Sequence, residues 1–198
     1  MKRIKIRPMA AVLLLWLILS NRVAIGVITL VAAALHEGGH AIAAKIMRIP
    51  LSFLRMDLLG ARLDVSGRIL SYGEEWLLCA AGPITSLLCA MAAAPFWHLL
   101  EYAGLFSCVS FILGLLNLLP VRTFDGGRML ECFLLSFLGE RLAGRWMRGC
   151  TFLFLFLIWA VAVYLLLRAG DGLSLLCFSM SLMTRFFEGD CGEAFLAK

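Results

Sequence analysis

Only three histidines occur in the 198 residues, and two of them fall in His36-Glu37-Gly38-Gly39-His40. On a helix, positions i and i+4 share a face. Two imidazoles so placed can grip one metal ion, with Glu37 beside the water that the metal acidifies. That is the chemistry of metal-assisted hydrolysis. A polar patch lining a pathway is the competing reading. Gly38 and Gly39 each weaken a helix by about 1 kcal/mol relative to alanine. What they permit is close approach of backbone, substrate or a neighbouring helix.

A catalytic zinc usually takes three protein ligands and one water, so two histidines leave one ligand to find. His98 sits beside Trp97 at the opposite, outer end of its apolar stretch and reads as an interfacial residue. Asp125 is the better candidate, in the segment Asn117-Leu-Leu-Pro120-Val-Arg-Thr-Phe-Asp125-Gly126-Gly127-Arg128. Pro120 ends a helix, and Gly126-Gly127 allows a sharp turn. Taken alone, Asp-Gly-Gly also reads as a plain loop. Seven cysteines, at 79, 89, 108, 132, 150, 177 and 191, form no CxxC pair. Their odd number and apolar settings suggest buried thiols acting as small hydrophobes.

The elements that must position these residues are apolar. The chain is 62% hydrophobic and 16% charged, against roughly 45–50% and 25% in soluble domains. This excludes an ordinary soluble globule, a disordered tail and a fibre, and leaves a polytopic membrane protein. Apolar stretches at about 9–19, 23–46, 76–100, 103–120, 149–167 and 172–184 predict about six transmembrane helices. With the N-terminus inside, 16 of the 18 lysines and arginines fall on the cytoplasmic side, and only Arg22 and Arg168 fall outside. The positive-inside rule thus places both termini in the cytoplasm. The net charge of +5 therefore marks cytoplasmic loops and gives no reason to expect nucleic acid. His36 lies about 20 Å along its helix from Val23, which puts a metal in the inner half of the bilayer, reached by water from the cytoplasm. Ala61 to Ser66 alternates apolar and polar residues, so a small amphipathic β-hairpin is expected at the inner membrane surface, between spans two and three. Its edge could pair with an unwound substrate backbone. The expected fold class is an all-α polytopic membrane protein carrying that hairpin. The expected domains are one membrane-embedded unit over 1–187 and a short cytoplasmic tail over 188–198.

His-Glu-x-Gly-His in an early span, followed by Asn-x-x-Pro-x-x-x-x-Asp-Gly in a later one, resembles the site-2 proteases, the intramembrane zinc metalloproteases. His36, Glu37, Gly39 and His40 fall on the first motif. Asn117, Pro120, Asp125 and Gly126 fall on the second. Ala81-Gly82-Pro83 is similar to a Gly-Pro element often found in the family. The resemblance covers about 23–130 and suits the compact bacterial branch, which includes the stage IV sporulation protein FB group. It implies one Zn2+ per chain on His36, His40 and Asp125, with Glu37 as general base. It further implies that Asn117 holds substrate or stabilises the oxyanion; a capping or interhelical amide is the alternative. Implied partners are membrane-spanning or membrane-associated protein substrates, such as pro-sigma or anti-sigma factors, together with the lipid bilayer and membrane-bound regulators. Thr123-Phe124 replaces the Pro-Leu often found before the Asp-Gly-Gly-Arg, which should alter loop packing rather than metal binding. No PDZ or CBS domain is expected. A zinc transporter and a non-catalytic homologue that binds membrane segments are the other functions compatible with these residues.

Overall fold

The structure, a computed structural model, describes residues 23–49, 53–57, 60–64, 70–169 and 173–196. Helix α1 spans Val23–Ile46, about 36 Å at 1.5 Å per residue. It ends where Arg48 takes a left-handed φ of 54° and the Ile49 N–H reaches back to the Ala44 carbonyl at 2.9 Å. This is a Schellman-type stop, with an apolar residue folded back onto the last turn. Ile49 packs there with Ala44 and Leu78. Next, strands β1 (Phe53–Asp57) and β2 (Gly60–Asp64) pair antiparallel, with Phe53 opposite Asp64 and Asp57 opposite Gly60.

Helix α2, Tyr72–Ala93, starts with a capping box written in the sequence as Ser71-x-x-Glu74. The Glu74 N–H donates to the Ser71 Oγ at 3.3 Å, and the Ser71 N–H donates to the Glu74 carboxylate at 3.0 Å. A short 3-10 turn, Ala94–Phe96, leads to α3, Glu101–Asn117. The Ser107 hydroxyl donates to the Ala90 carbonyl, and a Cβ on Gly114 would lie 3.1 Å from that of Ser86, so α2 and α3 run in close contact. Helix α4 covers Asp125–Ala169 and is bent at Gly139, whose φ of 71° and ψ of 166° leave the helical region. Helix α5 covers Leu173–Leu196 and so extends through Glu188, where a tail was expected to begin.

Three described helical stretches, Ala24–Ile46, Tyr72–Phe96 and Asp125–Arg168, are long and apolar enough to cross a membrane. Tyr102–Asn117 and Leu175–Thr184 are apolar but shorter. This corrects the expected fold class of six spanning helices with a hairpin laid on the membrane. The described fold is helical, with five α-helices of which three have membrane length. The paired strands are a local ribbon that adds no layer to it. The physical reason is that hydropathy sees apolar runs but not helix ends. The run at 103–120 loses its last residues because the helix stops at Asn117, ahead of Pro120. The run at 149–167 is the distal part of a helix that begins at Asp125. The stretch at 9–19 lies outside the described residues.

The apolar core joins the loop before α4 to the two last helices: Val121, Phe124, Leu155 and Leu182 are buried together. Elsewhere large apolar side chains face outward, among them Leu30, Leu99 and Leu167 at 58–81% exposure. Apolar residues turned outward along several long apolar helices are the pattern of a polytopic membrane protein, whose solvent is lipid. Of the cysteines, Cys79 and Cys132 are buried, Cys89 and Cys150 half-buried, and Cys108 and Cys177 exposed. Burial therefore accounts for only part of the set.

Candidate metal centre

His36 and His40 sit one turn apart on α1, with ring centroids 5.1 Å apart and the rings edge-to-face. Both are buried, at 4% and 8% exposure. Asp125, the first residue of α4, brings Oδ2 to 3.1 Å from the His36 Nε2 and 3.2 Å from the His40 Nε2. The three ligand atoms lie within 4.8 Å of one another, a group able to hold a metal ion.

Two sets of glycines make this convergence fit. A Cβ on Gly82 would lie 2.2 Å from the His40 Nε2 and 2.7 Å from the His36 Nε2, so only glycine clears the space that the imidazoles fill. A Cβ on Gly39 would meet the Thr85 Oγ1 at 2.3 Å and the Ala81 carbonyl at 2.7 Å, which lets α1 lie directly against α2. Gly38 faces open space, so close approach explains only one of the pair. Gly126 and Gly127 were expected to supply a sharp turn. Neither has a positive φ. Their added Cβ atoms would instead strike the Leu118 and Val121 carbonyls at 2.1 and 2.0 Å. They allow the incoming loop to pack onto the first turn of α4, and this sets the position of Asp125.

Helix α2 also orients both rings. The His36 Nδ1 lies 2.8 Å from the Ser86 Oγ, and the His40 Nδ1 lies 2.8 Å from the Leu78 carbonyl. A carbonyl only accepts, so the His40 Nδ1 carries hydrogen. A neutral His40 then turns the Nε2 lone pair toward a carboxylate oxygen at 3.2 Å. Two lone pairs at that range repel unless positive charge lies between them. A proton or a metal cation supplies it. Two imidazole nitrogens and one carboxylate oxygen are a zinc-type donor set, and the second ring nitrogens are fixed as metal-binding histidines require. The residues present therefore fit a zinc ion.

The Glu37 Oε2 is buried with no hydrogen-bond partner among the described residues. Leaving such an oxygen unsatisfied costs about 1–3 kcal/mol, which a water beside it would offset. Asn117 is not part of the cluster; its Nδ2 donates to the Leu113 carbonyl on its own helix at 3.0 Å. His98 lies apart, accepting from the Trp97 indole at 3.0 Å. The sequence reading missed Ser86, the Leu78 carbonyl and the Glu75–Arg128 ion pair, which at 2.7 Å ties the first turn of α2 to the first turn of α4. Only Arg128, three residues after Asp125, carried a local signal for any of these.

The family model described as Peptidase family M50 matches residues 70–161. That stretch includes Asp125, Gly82 and Ser86, while the helix that bears both histidines lies ahead of it. The overall fold is similar to that of a solved structure, the site-2 protease from Methanocaldococcus jannaschii. The TM-score is 0.58 and the identity 19%, over 82% of this chain and 75% of that one. No curated protein matches the chain.

Proposed function

We propose that the chain is an intramembrane zinc metalloendopeptidase of the site-2 protease type. In this reading one membrane-embedded domain over 1–187 carries the activity, and 188–198, helical as far as Leu196, is a short cytoplasmic tail. The observation that carries the proposal is the convergence of His36, His40 and Asp125 from two distant helices, beside the orphaned carboxylate oxygen of Glu37. The match to Peptidase family M50 and the similar fold support it.

His36, His40 and Asp125 would hold the zinc, one per chain. Bound there, zinc supplies a Lewis acid for a peptide carbonyl and lowers the pKa of water toward about 7. Glu37 accepts a proton from the attacking water and returns it to the leaving amine. Ser86 and the Leu78 carbonyl keep the two imidazoles oriented throughout. Asn117, the last residue of α3, holds substrate backbone or stabilises the oxyanion once its bond to Leu113 is exchanged. Water enters from the cytoplasmic side, because lipid offers none and basic residues crowd the loops next to the site.

The substrates are membrane-spanning or membrane-associated proteins. Within this reading the second motif, Asn117 to Gly126, resembles the branch of the stage IV sporulation protein FB group, with pro-sigma or anti-sigma factors as candidate substrates. Glu37→Gln tests the reading through zinc content, zinc flux and cleavage of a membrane-anchored substrate. Near-normal zinc with cleavage lost is expected. Retained cleavage would remove Glu37 from the mechanism, and zinc flux into vesicles would make the chain a transporter.

A further inference from the structure

We propose that the pocket at the bend of α4 binds the phosphate headgroup of an anionic phospholipid. Beyond Gly139, Arg141, Arg145 and Arg148 stand at i, i+4 and i+7 and so share one helix face. With Arg122 from the preceding loop they line a pocket of about 600 Å³. Glu131 and Glu140 also line it, leaving four guanidinium groups against two carboxylates. Arg122 is paired with Glu131 at 3.1 Å. Among the residues that line the pocket guanidinium groups outnumber carboxylates, which favours an anion there, and guanidinium forks match phosphate oxygens two at a time.

The surroundings indicate that the phosphate belongs to a lipid. Arg148 directly precedes the apolar run 149–167, so the pocket stands where the chain passes from basic to apolar. Trp146, between two of the arginines, is 59% exposed. An outward tryptophan level with cations is the mark of a membrane interface. Phe152 and Phe156 continue the arginine face one and two turns further on. Both are about half exposed, with rings 6.5 Å apart and nearly parallel. A cationic pocket therefore opens onto an exposed aromatic strip running along the span. A free phosphate would fill only the pocket, whereas a phospholipid would place its headgroup there and its acyl chains on the strip. The metal centre, at the start of α4, takes no part.

The test uses the full chain in mixed micelles and compares phosphatidylglycerol with phosphatidylcholine. Readouts are the lipid retained, counted by native mass spectrometry, and the melting temperature. The wild type should retain phosphatidylglycerol more tightly by about a hundredfold, the sum expected of three basic contacts, and less so at high salt. R141Q/R145Q/R148Q should lose the preference while its zinc content stays at the wild-type level. If the triple variant does not fold, R145Q alone is read the same way, with a smaller loss expected. No preference in the wild type, or an undiminished preference in the variant, would overturn the proposal. So would displacement of the lipid by inorganic phosphate at equal concentration, which would make the pocket a free-anion site.

Discussion

Two corners of the molecule are built on opposite terms. Where α1, α2 and the start of α4 meet, the buried groups are polar and each contact is particular: His36 on Ser86, His40 on the Leu78 carbonyl, and both on Asp125. Where the loop before α4 meets the far half of α4 and α5, Val121, Phe124, Leu155 and Leu182 pack as apolar bulk. The buried serine on the α5 side, Ser179, bonds to the Leu176 carbonyl of its own helix, and one polar contact crosses this corner, from the Arg122 N–H to the Thr151 Oγ1 at 3.3 Å. The difference teaches what lipid-facing proteins must do with polarity. Apolar contacts tolerate exchange of shape, whereas a buried polar group needs its particular partner at hydrogen-bond distance. Changes in the polar corner should therefore be read out in metal binding, and changes in the apolar corner in stability alone.

Gly82→Ala should have the largest effect. A methyl 2.2 Å from the His40 Nε2 must displace one imidazole, so zinc measured by metal analysis should fall below detection in a protein whose helicity is retained. Full zinc occupancy would show that α2 gives way more easily than the polar corner allows. Ser86→Ala comes next. Loss of the group that orients His36 should weaken zinc binding by about 10–100-fold, visible in chelator competition and in the d–d spectrum of the Co2+ form. Ser179→Ala, equally buried, should leave both unchanged. Glu75→Gln removes half of a part-exposed ion pair and should weaken zinc binding only a few-fold. An exchange of the two charges, E75R/R128E, should restore most of the loss if the pair acts by holding α4 in place. Leu155→Ala should lower stability by about 2–5 kcal/mol, the range for buried leucine truncations, with zinc unchanged. A fall in zinc there would mean that the two corners are coupled through the loop. Gly38→Ala should change zinc least, because its Cβ meets nothing within 4 Å, and should firm α1 by up to about 1 kcal/mol.

The ligand atoms were legible in the sequence because helix geometry is local. His36 and His40 share a face by spacing alone, whereas Asp125, in a segment that also reads as a plain loop, was singled out by the resemblance of the second motif. The groups that orient them were not legible. Ser86 lies 50 residues from His36 and looks like any small residue in an apolar helix, and a main-chain acceptor has no letter at all. The glycines were recognised as unusual, but their use was not. Gly126 and Gly127 serve packing where a turn was expected, since a sequence does not show which backbone atom will pass within 2 Å of a Cβ. Hydropathy overcounted the spans for a related reason. It integrates composition over a window, while helix ends depend on single caps and on prolines such as Pro120. The bend at Gly139 left a trace only as one glycine among several in a basic stretch.

The bond from His40 to the Leu78 carbonyl has a consequence for how the centre can be dissected and how it can drift. No side-chain substitution deletes that acceptor, because every amino acid placed at 78 brings the same carbonyl. An alanine scan would find Ser86 and pass over its counterpart, and would assign to Leu78 only the packing it shares with Ala44 and Ile49. Replacing the peptide link between residues 78 and 79 by an ester weakens the carbonyl itself and would expose its share. One imidazole is thus held by a group that mutation can remove, and the other by one that the genetic code cannot alter.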